Sequence, residues 1–307
     1  MSAIGRFSGR NLEFTLRRNP VRRPISMRSI RFLFAIAAGS IVAAAPASGQ
    51  GRPTKGSDFP AAEFDSTDKT AYYFWQYDSF AWHASDKVAE DAQAIGKNVL
   101  DRLGSEWFCF KIGSTWHAVF GRFHDSTDTY DAVLHYVSTP SGAIVRTSEP
   151  VDTALGNRFG RALSIAQRHV PADFARANIR FNSYVRERYH GGVDVLLIPS
   201  WQQNGWILYG SEFQYGFDAA GRNVRDSVVR LGNIKGARPD STATIMLAHD
   251  EAPGIPTVAE VLFIRLYTKY FAHVYVRTRD WVSELYKGPP EMAWFHALRE
   301  DRSPQGQ

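Results

Sequence analysis

Cysteine is almost absent from the chain. Cys109 is the only one in 307 residues, so no intramolecular disulfide can form and the fold must rest on its core. Its setting, Trp107-Phe108-Cys109-Phe110, predicts a buried small hydrophobe rather than a reactive thiol. Long hydrophobic runs are also missing. The apolar stretch from Phe32 to Ala45 has about 14 residues, against roughly 20 for a helix that spans a bilayer. Familiar catalytic signatures are scarce as well. There is no G-x-S-x-G; Gly210-Ser211-Glu212 comes nearest and lacks the flanking pattern. No Gly-rich phosphate loop, no Cys/His zinc spacing and no internal repeat occurs.

What the chain does have is a leader. Residues 27–50, MRSIRFLFAIAAGSIVAAAPASGQ, read as a secretory signal peptide. Arg28 and Arg31 form the basic head, the run from Phe32 follows, and Ala45-Pro46-Ala47 offers the small-x-small pattern for cleavage. Cleavage is expected after Ala47 or Gly49, which sets the leader at 27–49. No Cys lies nearby, which argues against a lipoprotein anchor. Residues 1–26 carry six arginines against the single acid Glu13, and Met27 stands directly before the leader. The simplest reading makes Met27 the start and 1–26 a mis-called extension. A long twin-arginine leader is the alternative, but neither Arg17-Arg18 nor Arg22-Arg23 runs straight into the apolar stretch. The expected destination is secreted or periplasmic, with a leader of bacterial type and no integral membrane span after cleavage.

The leader also explains the charge. Residues 1–50 hold eight of the 36 basic and one of the 31 acidic residues, leaving 28 against 30 and a formal net of −2. The basic pI belongs to the leader, so charge gives no ground for a nucleic-acid partner.

Residues 50–70, rich in Gly, Pro, Ser, Thr and Asp, are expected to form a flexible tether. A globular domain is then expected over 71–299, with halves 71–190 and 191–299, and a frayed tail over 300–307. Residues 71–82, AYYFWQYDSFAW, hold seven aromatic rings. They either dock into the core or stack on sugars, with Trp75 and Trp82 as the test residues. Val88, Ala92, Ile95, Val99 and Leu103 recur at helical spacing and Gly104 is placed to stop that helix. Strands are expected over 107–112 and 115–123 around a Gly113-Ser114 turn, then over 130–138. A helix over 157–169 separates these from strands at 193–198, 206–217, 224–231 and 242–248. Residues 232–241 read as a polar loop. A helix at 258–270 and strands at 273–279 and 281–286 close the chain. Helices flanking mostly antiparallel hairpins make the fold class α+β.

The strongest candidate site is 247–260, LAHDEAPGIPTVAE. A strand delivers His249 and Asp250 to a loop, and the loop meets a helix that starts at Thr257. Imidazole, carboxylates and free backbone N–H groups then converge, which favours anion or metal binding. Thr257-Val258-Ala259-Glu260 is also a capping box, which accounts for Thr257 and Glu260 without any ligand. Other candidates are weaker. His117, His124 and His135 lie on or beside predicted strands, but His117 and His124 are an odd number apart and would face opposite sides. Asp125, Asp128 and Asp131 lie in or beside an acidic loop without EF-hand spacing.

The strand, His, Pro-containing loop and Ser/Thr-x-x-Asp/Glu helix start resemble the metal motif of JAB/MPN-type metallohydrolases. That family's motif is His-x-His-Pro with a Ser-x-x-Asp some eight residues on. Two His and the Asp hold zinc, and an upstream Glu serves as general base. Position by position, His249 matches the second His, Thr257 the Ser and Glu260 the Asp. Leu247 stands where the first His belongs and Asp250 replaces the Pro. Leucine cannot coordinate, and zinc needs three protein ligands. The resemblance therefore implies a degenerate, metal-free site.

Two functional readings follow. One is a non-catalytic secreted, periplasmic or envelope-associated binding protein, without cofactor, whose ligand the sequence does not specify. His249, Asp250, Thr257 and Glu260 are its candidate binding residues. The other is a hydrolase with a divergent JAB/MPN-like site around His249, with zinc as its cofactor. That reading expects His190, His273 or Glu212 to supply a further ligand.

Overall fold

The computed structural model describes residues 59–202, 204–250, 254–287 and 292–299, and all of them fall within one compact unit. The expected leader, the segment before it, the first nine residues of the tether and the tail lie outside the described residues.

Helix α1 runs Ala61–Ile95. It takes in the last ten residues of the expected tether and the whole aromatic segment. The reason is a continuous buried stripe: Phe64, Ala71, Phe74, Tyr77, Ala81, Ala84 and Val88 recur three, four or seven residues apart. The rings therefore divide by face. Phe74, Tyr77 and Phe80 enter the core, while Tyr72 and Trp82 remain exposed. Gly96, at φ +81°, ends α1 eight residues before the expected stop at Gly104. A single turn, α2 (Lys97–Leu100), follows.

Strands β1 (Phe108–Ile112), β2 (Thr115–His124), β3 (Thr129–Ser138) and β4 (Ile144–Arg146) form an antiparallel sheet in chain order. The first hairpin closes as expected: Ile112 pairs with Thr115, and Gly113 takes φ +58° at the first turn position. Helix α3 (Thr153–Arg168) begins earlier than its apolar spacing implied, because the Asp152 carboxylate caps the Ala154 and Leu155 N–H groups. The short α4 (Ala172–Arg176) follows Pro171.

A second antiparallel sheet contains β5 (Phe181–Glu187), β6 (Val193–Pro199), β7 (Ile207–Phe217) and β8 (Val224–Ala237), again in chain order. Strand β6 is buried at every position. The residue 190/191 boundary falls inside the β5–β6 hairpin. Much of the expected loop at 232–241 is strand: β8 continues to Ala237 and pairs with β7 as far as Ile207.

The third sheet has the order β12-β11-β10-β9. Its strands are β9 (Asp240–Ala248), β10 (Phe271–Arg277), β11 (Trp281–Lys287) and β12 (Met292–Leu298). Strands β9 and β10 are parallel, and helix α5 (Val258–Tyr267) with a 3-10 turn supplies the crossover such a pair requires. The fold is thus α+β with three mostly antiparallel sheets. The larger core joins α1, the first two sheets and α3. A smaller one packs Phe263, Ile264 and Tyr267 of α5 against Ile245, Val274 and Val276. Among the described residues no helix is long and apolar enough to cross a membrane.

Candidate functional site

The end of β9 and the start of α5 meet the middle of β7. The His249 N–H donates to the Arg277 carbonyl at 3.0 Å, which fixes the residue just past the strand. At the helix start the capping box is complete. The Glu260 N–H donates to Thr257 Oγ1 at 3.2 Å, and the Thr257 N–H donates to Glu260 Oε2 at 2.9 Å. The second Glu260 oxygen, Oε1, lies 2.8 Å from His249 Nδ1, so the carboxylate that caps the helix also orients the imidazole.

Beneath them lies Glu212. The Thr257 hydroxyl donates to its Oε2 at 2.9 Å, and Arg230 Nη1 donates to its Oε1 at 3.0 Å. Glu212 and Arg230 are register partners on β7 and β8, which places the two charges side by side. The Glu212 carboxyl is pushed up to about 7, chiefly by burial and then by the Glu260 charge, with Arg230, Thr257 and His249 opposing the shift. A buried acid poised near neutrality can hold or release a proton at physiological pH.

Glu212, Arg230, His249 and Glu260 line a cavity of about 430 Å³. Leu208, Leu247 and Phe263 supply apolar wall, and Tyr209, Ser211 and Lys235 add polar groups. That size and mixture suit a small organic ligand.

Of the residues singled out from sequence, His249, Thr257 and Glu260 come together, and Glu212 joins them from a strand some 37 positions before His249. Asp250 does not: it is exposed and accepts a hydrogen bond from Arg299 at 3.2 Å. His273 pairs with Glu284 on the outer face of the third sheet, and His190 lies at the β5–β6 turn beside Tyr189; neither lines the cavity. Arg230 was missed. Its signal was the pairing of two charges across a hairpin whose far strand read as half loop.

The other candidates resolve as structure. His117 Nδ1 lies 3.0 Å from His135 Nε2, and His135 Nδ1 lies 2.9 Å from the Glu149 carbonyl, while His124 is exposed. Asp125 meets Arg168, Asp128 meets Arg161 and Arg222, and Asp131 meets Arg102. Cys109 is fully buried, and burial raises its thiol well above the ordinary range. Among the described residues no group of three or more His, Cys, Asp or Glu is arranged to hold a metal. No protein-family model, curated protein or solved structure matches the chain.

Proposed function

We propose that the chain is a non-catalytic binding protein of the periplasm or the secreted space, and that the cavity beside Glu212 receives its small-molecule ligand. Glu212 carries this reading. A buried carboxyl held near neutrality on a cavity wall costs stability, and such groups cluster where a ligand or a reaction uses them. Protonated, it offers a donor to a ligand; ionised, it offers an acceptor, with Arg230 as its counter-charge.

Under the JAB/MPN resemblance, Glu212 is the acid upstream of His249 that lies within the site, where it accepts a hydrogen bond from Thr257. The donor set does not fit zinc. Leu247 is buried and apolar where a His is needed, and both Glu260 oxygens are already engaged, by His249 Nδ1 and the Thr257 N–H. A hydrolytic reading would therefore rest on Glu212 and His249 as proton-transfer groups without metal.

The test is a fragment library screened by ligand-observed NMR against the wild type, Glu212→Gln and Ala248→Trp, the last placing a bulky ring at the exposed cavity rim. Fragments bound by the wild type and lost in both variants support the assignment. Fragments that bind all three equally sink it. Stoichiometric zinc in untagged protein, lost on His249→Ala, would favour the metallohydrolase reading instead.

A further inference from the structure

Strand β12 is an edge with an unusual composition. The six edge strands of the three sheets are β1, β4, β5, β8, β9 and β12. Five of them carry at least one charged residue. Strand β12, Met-Ala-Trp-Phe-His-Ala-Leu, has neither an acid nor a Lys, Arg or Pro of the kind that usually guards an edge. Among the described residues its backbone pairs only with β11.

Its sequence is also close to a palindrome in residue type. About Phe295, Trp294 mirrors His296, Ala293 mirrors Ala297 and Met292 mirrors Leu298. Antiparallel pairing of two copies centred on Phe295 would set ring against ring and methyl against methyl. A two-fold axis requires a patch that complements itself in this way.

The backbone phase agrees. The Arg299 N–H donates inward to the Asp280 carbonyl at 2.8 Å. Alternation along an antiparallel strand then turns the N–H and C=O of Leu298, His296 and Trp294 outward. Trp294 and His296 of two copies would exchange a closely spaced pair of hydrogen bonds. Phe295 would face its own copy at a non-hydrogen-bonded position, where Cα atoms approach to roughly 4.5 Å. Phe295 is 62% exposed and Tyr286 65%, both on the outer face of the sheet. On the inner face Trp294 and His296 are already fixed by Phe64 and Phe59, so the strand is preorganised rather than loose.

We propose that β12 is a homodimer interface, joining two third sheets into one continuous eight-stranded sheet across a two-fold axis at Phe295. The row Met246, Tyr275, Glu284 and Phe295, one residue from each strand in register, then continues into the second copy.

Sedimentation equilibrium of the whole protein tests the mass, and amide exchange locates the contact. The expected result is a reversible dimer, with the Trp294, His296 and Leu298 amides protected increasingly as concentration rises. Phe295→Lys puts like charges at the axis and should leave a folded monomer. A monomer at all concentrations overturns the proposal. So does protection of the three amides that is independent of concentration, which would mean that another segment of the same chain covers the edge. A dimer that Phe295→Lys leaves intact places the contact elsewhere and overturns it as well.

Discussion

The Thr257 hydroxyl serves two masters: it accepts from the Glu260 N–H at 3.2 Å and donates to Glu212 Oε2 at 2.9 Å. One side chain thus completes a helix cap and solvates a buried acid. Thr257→Ala should destabilise the fold by about 2 kcal/mol, roughly 1 for the cap and 1 for the lost donor to Glu212. Thr257→Ser keeps the hydroxyl and should stay within about 0.5 kcal/mol of the wild type. Urea unfolding of both variants measures this. Equal losses in Ala and Ser would show that the methyl group matters and the hydroxyl does not.

Glu212 sets a pH dependence with a definite sign. Its folded value, about 7, lies above the ordinary 4.5, chiefly through burial. Folding therefore favours the protonated acid. That contribution is whole below pH 4.5, and it is lost as pH rises towards 7 because the unfolded chain ionises first. Across this window the wild type should lose up to roughly 3 kcal/mol that Glu212→Gln does not lose. Stability of the variant relative to the wild type should accordingly rise between pH 4.5 and 7. A flat difference over that range would mean that Glu212 is ionised throughout.

Asp68 ties the start of α1 to distant parts of the chain. It accepts from Arg265 Nη2 at 2.6 and 2.7 Å and from the Trp294 indole N–H at 3.0 Å. Both ion-pair partners are largely shielded from solvent. Asp68→Ala should cost about 3 kcal/mol, since it strands the guanidinium as well as the indole. Asp68→Asn retains an acceptor for one partner and should cost about half as much. If both variants unfold at the wild-type urea midpoint, the contact is incidental to stability.

This contact also marks where the sequence was legible and where it was not. Local chemistry was readable: the Gly113 turn, the Thr257 capping box and the buried setting of Cys109 all follow from a few adjacent residues. The composition of 61–70 misled: Asp65 and Ser66 do face solvent, but Phe64 packs on Trp294 and His296, Thr70 is buried, and Asp68 reaches Arg265 and Trp294. Strand β12 was invisible for a related reason. Its Trp294 and His296 face a helix some 230 residues earlier, and no local period reports such a partner. The site divides in the same way. His249, Thr257 and Glu260 lie within a dozen residues and could be grouped by spacing, whereas Arg230 depends on the β7–β8 register.

His296 gives the opposite pH sign from Glu212. Its ring stacks on Phe59 at 3.6 Å, and Nδ1 lies 2.8 Å from Ser283 Oγ. Burial lowers it to about 4 from 6.5, with the Asp68 charge opposing. The folded state prefers the neutral ring, so this contribution is whole above pH 6.5 and is lost as pH falls towards 4. The imidazole Cε1 proton should titrate in NMR with a midpoint near 4, and acid should loosen the Phe59 contact before the chain unfolds. His296→Gln cannot gain the proton and should flatten that limb of the stability profile. A midpoint above 6 would mean that water reaches the ring and that the stack on Phe59 does not shield it.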